Sequence, residues 1–128
     1  MYRNDRVAQA LAIHIESVEP GRARVSMRVS ADMVNGHRIC HGGYMALLCD
    51  TAFAYACNSY NAVTVASGFS IELLASARED DLLIAEAVEV TRRGRSGVYD
   101  VRLSNQKGET LALFRGKSRT IDGTIIPT

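Results

Sequence analysis

Residues 35–59, NGHRICHGGYMALLCDTAFAYACNS, constrain the fold of this chain more than any other stretch. A polar opening that contains Asn35, Gly36, His37, His41, Gly42 and Gly43 gives way to an apolar run over 44–57, broken only by Asp50 and Thr51. A helix that is apolar on every face belongs inside a core, and one this short cannot span a bilayer. The pattern predicts a central helix over 44–57, buried all round, with Asp50 in the interior.

A carboxylate in that position needs a reason, because moving an ionised one out of water costs several kcal/mol unless something compensates. One reading is structural, an Asp that hydrogen-bonds a loop backbone; the other is chemical, a base or nucleophile. Its neighbours favour chemistry. Gly42 and Gly43 stand where the helix should begin, and the first amides of a helix are unpaired donors at its positive end, suited to a developing oxyanion. Gly42 and Asp50 are eight residues apart, roughly 12 Å along a straight helix, whereas groups acting on one carbonyl must lie within about 3 to 3.5 Å of the reacting atoms. Two copies with antiparallel helices bring one Gly42 amide opposite the other Asp50, so a site on this helix is expected to be shared across a dimer.

The chain has 128 residues, 47% of them hydrophobic and 23% charged, with a net charge of +1. That is enough for one core, so a single domain over 1–128 is expected, with no nucleic-acid partner and no membrane partner. No signal-type apolar run opens the sequence, which makes a cytoplasmic location the expectation. Cys40, Cys49 and Cys57 are odd in number and read as reduced core residues. With His37 and His41 they lack the spacing of a zinc clip, so no metal is expected. A thiol beside Asp50 would have its pKa raised, which argues against a Cys49 nucleophile.

Around the central segment the period changes. A short leading helix over 3–11 is predicted, with Val7, Ala10 and Leu11 on its apolar face. Ile13, Ile15 and Val18, a turn at Pro20 and Gly21, then Ala23, Val25, Met27 and Val29 in alternation with Arg22, Arg24 and Arg28 predict a hairpin, and leave His14 on a solvated face. Val63, Val65, Phe69, Ile71 and Leu73 predict a long strand, with Gly68 marking a bulge or a close approach. In LLIAEAVEVTRR the apolar parity switches between Ala87 and Val88, which predicts a second bulge there. Turns over 94–97 and 106–108 bracket a strand with Tyr99, Val101 and Leu103 on one face, a last strand follows, and the tail beyond Asp122 reads as loose. The expected class is α+β, a curved antiparallel sheet wrapped around one long central helix.

The run Asn35-Gly36, then Cys40-His41-Gly42-Gly43, then Asp50-Thr51-Ala52-Phe53-Ala54-Tyr55-Ala56-Cys57-Asn58 resembles the signature of hotdog-fold acyl-CoA thioesterases, and in particular the phenylacetic-acid-degradation group. GVYDV around Tyr99 and ALFRGKS around Phe114 resemble that group too. The resemblance implies a hotdog homo-oligomer, a dimer or a dimer of dimers, that hydrolyses the thioester of an acyl-CoA such as phenylacetyl-CoA or a ring-hydroxylated relative. Coenzyme A would be part of the substrate, with no separate cofactor. By the same likeness Asp50 is the base or nucleophile and the Gly42 amide polarises the carbonyl from the neighbouring subunit. Asn35 and His41 position the carbonyl and loop, with Thr51 in support. Gly43, Phe53 and Phe69 are candidate substrate contacts, and Arg92, Arg93 and Arg95 are candidates for the coenzyme phosphates. The chain departs from many relatives after Leu74, where Ala75-Ser76-Ala77-Arg78 replaces a basic residue and a proline. The alternatives are a hydratase or dehydratase built on His41 and Asp50, and a non-catalytic acyl-CoA binding module in which Asp50 is structural.

Overall fold

Alternation along the sequence becomes six antiparallel strands, and the apolar run becomes the helix that covers them, in a computed structural model that describes residues 1–123 and 125. After the short α1 (Arg6–Ala10), β1 (His14–Glu19) and β2 (Arg22–Arg28) form the first hairpin, and α2 (Gly42–Cys57) follows. Then come β3 (Thr64–Leu73), β4 (Leu82–Arg93), β5 (Ser96–Ser104) and β6 (Thr110–Thr120). The sheet order is β1-β2-β4-β5-β6-β3, so β1 and β3 are its two edges. This is the α+β hotdog arrangement.

The helix packs chiefly on β2, β4 and β5. Leu48, Cys49, Ala52, Phe53 and Ala56 are fully buried against Val25, Leu83, Ala85, Tyr99 and Leu103, and each large side chain so buried contributes about 1.5–3 kcal/mol. Phe53 stands with its ring centroid 5.6 Å from Tyr99 and 5.9 Å from Phe114. It fits because Gly116 lies beneath it: a Cβ there would stand 2.8 Å from the Phe53 ring.

Several sequence expectations need correction. The helix starts at Gly42, two residues earlier than the apolar run, with His41 as its N-cap residue. It is not buried all round. Gly43, Tyr44, Ala46, Leu47, Asp50, Thr51 and Ala54 form a stripe that its own sheet leaves partly exposed. The leading helix breaks into a 3-10 turn, Tyr2–Asn4, and the five residues of α1, in which Ala8 is buried and Val7 faces solvent. The Asp5 side chain, accepting from the Ala8 amide, sets that start.

In β4 the register shift falls between Glu89 and Thr91, later than the parity switch suggested, and Val88 and Val90 are exposed. The bulge at Gly68 is present, as a shift between Ala66 and Gly68. It turns Val65 to the opposite face from Phe69, and Val65, Phe69 and Leu73 are 44%, 53% and 53% exposed. The strand pattern was sound; what it lacks is a covering body from its own chain. Of the tail, Thr124 and residues 126–128 lie outside the described residues.

Candidate active site

The loop before α2 is tied down by its own polar groups. Asn35 Oδ1 accepts from the His37 amide at 2.9 Å and the Ile39 amide at 3.2 Å, which closes a tight turn and holds Arg38 at φ +62. The Cys40 amide donates to the Ala77 carbonyl and the His41 amide to the Met33 carbonyl, fixing the entry to the helix. Asn35 therefore shapes the loop; its carbonyl oxygen is committed to backbone. His41 is exposed and makes no side-chain capping bond. The Gly42 amide, at the first helical position, has no hydrogen-bond partner among the described residues, as expected of the first turn.

Gly42 is required for packing as well as for access. A Cβ at this position would stand 2.6 Å from Cδ1 of Leu73. Leu73 and Leu74 wall a cleft of about 250 Å³ beside the helix N-terminus, lined also by Ile39, Cys40, Met45, Ala75 and Ser76. Gly43 is open, with nothing within 4 Å of where its Cβ would lie.

Asp50 sits two turns further on, half-buried on the exposed stripe. It makes no hydrogen bond and no ion pair among the described residues, and burial raises its carboxyl above the usual aspartate value. An unpaired, partly desolvated carboxylate is costly in a purely structural role and suited to proton transfer. Thr51 is committed elsewhere, its hydroxyl donating to the Leu47 carbonyl at 2.8 Å. The cysteines are free and buried, and burial followed by the neighbouring Asp50 charge pushes the Cys49 thiol up to about 12.

Phe53 belongs to the core, whereas Phe69 lies on the open inner face of β3, stacked on Phe114 with centroids 4.9 Å apart. The three arginines stand at the other end of the helix. The Arg92 guanidinium lies 3.6 Å from the ring centroid of Tyr60 and 3.9 Å from Glu89. Arg95 lies 3.8 Å from Asp122, and Arg93 faces Ser96 across the β4–β5 turn. The sixteen residues of α2 put about 24 Å between these arginines and Gly42 of the same chain. A wider groove of about 500 Å³ crosses the solvent face of the sheet past Val88, Leu113 and the Asp100–Arg115 pair. It lies on the side away from α2, with Glu86 paired to Arg24 and Arg102 donating to Thr110 and the Gly108 carbonyl. Leu73, the residue that covers Gly42, was not singled out by the sequence; its only signal was its parity with Phe69 and Ile71.

A hotdog sheet around one apolar helix, with a glycine amide at the helix start and an unpaired Asp two turns later, defines the thioesterase class. The chain belongs to the thioesterase superfamily, whose family model matches residues 37–112. It is 51% identical over 126 residues to the acyl-coenzyme A thioesterase PaaI of Escherichia coli (strain K12), an alignment covering 98% of this chain and 89% of that one. The structure of the E. coli PaaI protein from the phenylacetic acid degradation operon superposes with a TM-score of 0.96 at 49% identity, covering 98% and 91% of the two chains. A hypothetical thioesterase from Streptococcus pneumoniae TIGR4, solved with coenzyme A, superposes with a TM-score of 0.83 at 25% identity over 88% of each chain.

Proposed function

We propose that this thioesterase hydrolyses acyl-CoA thioesters, with phenylacetyl-CoA or a ring-hydroxylated phenylacetyl-CoA as the acyl substrate, at a site shared between two copies of the chain. The observation that carries the reading is Asp50, half-buried and without a partner on the only partly covered face of α2. Its carboxylate supplies the attack on the carbonyl carbon, through a water that it deprotonates or through its own oxygen, in which case water then cleaves the mixed anhydride to release the acid and restore Asp50. The Gly42 amide of the other copy donates to the carbonyl oxygen as it gains charge. The carbon–sulfur bond then breaks, and because thiols ionise near pH 8.5 the sulfur leaves with little need of a positioned acid. The similarity to the E. coli PaaI protein of the phenylacetic acid degradation operon supports the aromatic acyl group.

The second copy is argued from the sheet. β1 is a short edge with a bulge between Ile15 and Ser17 and acidic Glu16 and Glu19, all features that discourage pairing. β3 is a ten-residue edge with Val65, Phe69 and Leu73 uncovered. Two β3 edges related by a twofold axis pair antiparallel, and the inner faces that α2 leaves open meet. Such dimers can pair again into a tetramer. The test is thiol release from phenylacetyl-CoA, a ring-hydroxylated analogue and a straight-chain acyl-CoA, by wild type and Asp50→Asn. Preference for the aromatic thioesters and loss of rate in the variant are expected. A straight-chain preference would remove the substrate assignment, and a fully active variant would remove the role of Asp50.

A further inference from the structure

We infer that Asn58 is a positioning residue of the shared site: its side-chain amide pins the end of α2 to the first residue of the free β3 edge, and so sets where its own Asp50 meets the partner's Gly42. The inference rests on the shared-site reading above and deepens it; Asn58 itself touches no reacting group. It follows the last residue of α2 at φ −93 and ψ 4, outside the left-handed conformation that draws asparagine to helix ends, so it stands there for its side chain. Nδ2 donates to the Ala54 carbonyl at 2.8 Å and to the Thr64 carbonyl at 3.0 Å, and Oδ1 accepts from the Thr64 amide at 2.9 Å. One amide thus holds the last turn of the helix and both backbone groups of Thr64. The Thr64 hydroxyl lies in turn 3.2 Å from that of Thr120 on β6.

These bonds lie on the free side of the strand. Val63, the residue before, accepts from the Ile121 amide at 2.8 Å and donates to the Gly123 carbonyl at 3.3 Å, on the side that continues β6. Successive strand residues turn their amides and carbonyls to opposite edges, so those of Thr64 point outward, where a neighbouring strand would bond them. Asn58 fills that place. At the other end of β3, Leu73 covers Gly42 at the start of α2. The helix therefore runs antiparallel to the strand and is fastened to it at both ends, by an apolar contact at one and a polar clamp at the other.

The strand edge makes the contact between copies, while the helix carries Asp50, so their mutual placement sets the distance from Asp50 to the partner's Gly42. For the two to meet, the twofold axis must cross α2 midway between these positions, at Ala46, on the stripe that the sheet leaves partly exposed. Ala46 is four residues from Gly42, about 6 Å, which along β3 is about two residues from Leu73, near Ile71. Edge pairing centred there brings Leu73 of each chain beside Phe69 of the other, both exposed in the single chain. It leaves Thr64 beyond the end of the partner's strand, so dimer formation does not compete with Asn58 for it. Without the clamp the helix can pivot about the Gly42–Leu73 contact. Asp50, about 12 Å from that pivot, shifts, while Gly42 of the same chain stays. A misplacement of about 1 Å is enough to cost about 100-fold in rate.

The test uses mixed dimers, purified through two affinity tags, that carry one Asp50→Asn and one Asn58→Ala, either in the same chain or in different chains. Each keeps a single Asp50. With both changes in one chain, that Asp50 belongs to a chain with Asn58, and kcat for phenylacetyl-CoA is expected to match that of a wild-type/Asp50→Asn dimer. With the changes in different chains it belongs to the chain lacking Asn58, and kcat is expected to fall about tenfold or more, with KM within about twofold. The two dimers hold the same substitutions, so a loss of stability alone gives equal rates, and equal rates overturn the inference. Ser59→Ala is the control in homodimers. Its hydroxyl donates to the Ala56 carbonyl at 2.6 Å and accepts from the Gly21 amide at 2.8 Å, tying the same helix end to the β1–β2 turn instead. Homodimeric Asn58→Ala should lose about tenfold or more in kcat and Ser59→Ala less than about twofold; equal losses likewise overturn the inference. If Asp50→Asn homodimers keep full rate, it is the shared-site reading that fails, and the homodimer comparison still decides whether Asn58 sets the rate.

Discussion

The Cδ1 methyl of Leu73 lies 2.6 Å from the point where a Cβ on Gly42 would stand. Edge strand and helix start are thus fitted to one another at the amide proposed to meet the thioester carbonyl. A side chain at Gly42 has to displace Leu73 and would stand beside the proposed oxyanion position.

Gly42→Ala is therefore expected to lower kcat/KM by about 10- to 100-fold, the range for losing one well-aimed oxyanion donor or less. Adding Leu73→Ala gives the new methyl room and should restore part of the rate in a thiol-release assay. A double variant no better than Gly42→Ala would show that the Leu73 contact is not what limits the site.

Asp50→Asn should separate activity from stability. Burial raises the Asp50 carboxyl, so its charge is less welcome in the fold than in the unfolded chain. The sign follows: the stability this group contributes is present below the unfolded value and lost as pH rises through the higher folded one. At pH 7 the Asn variant should melt a few degrees higher, about 2–5 °C, while thiol release drops by at least about 100-fold. The gap in melting temperature should close as pH falls into the carboxylate range. A variant that melts lower at neutral pH would contradict the uncompensated state of Asp50.

The same shift sets the pH profile. With Asp50 acting ionised, kcat/KM should rise with pH through an inflection above the ordinary aspartate value. An inflection at or below that value, measured on a substrate whose own ionisation is constant, would point to a different base.

Sharing of the site can be read by complementation. Asp50→Asn and Gly42→Val, each inactive as a homodimer, should regain activity when co-expressed, because a mixed dimer carries one intact Gly42 opposite one intact Asp50. Random pairing makes half the dimers mixed with one good site in two, so about a quarter of wild-type activity is expected. No recovery in verified mixed dimers would place both groups of a site in one chain.

Phe69→Glu tests the edge. The residue is exposed and stacked on Phe114 in a single chain, so the substitution should leave the protomer folded. Sedimentation should show a smaller species with much reduced thiol release; an unchanged assembly would move the contact away from β3.

The strands were legible because alternation is a local signal. Tyr99, Val101 and Leu103 in β5, or Val25 and Met27 in β2, could be assigned from parity alone. The bulge at Gly68 was readable because glycine marks it. The shift after Glu89 was not, since Val88 and Val90 are apolar residues on a solvent face and imitate a change of side. For β3 the same parity gave the correct strand, while nothing in the same chain covers Phe69 and Leu73. At the site, sequence named Gly42 and Asp50 but not the internal commitments of Asn35 and Thr51. Those depend on which backbone amides and carbonyls lie within reach, the two amides under Asn35 and the Leu47 carbonyl beside Thr51. The arginines grouped by adjacency in the turn are set apart by the fold: Arg92 lies over Tyr60, Arg93 faces Ser96 and Arg95 stands beside Asp122.

The unequal edges of the sheet have a consequence for growth. Were two chains to join through β3 as proposed, the long apolar edge of each would be used up and a β1 edge left at both outer ends, where Glu16 is tied to Arg24 and the bulge between Ile15 and Ser17 breaks the row of amides. Neither end would then offer a template to a third chain, so strand addition would stop at two and the sheet would not extend into a fibre. An adhesive β1 in place of this guarded one would open such a dimer to polymerisation.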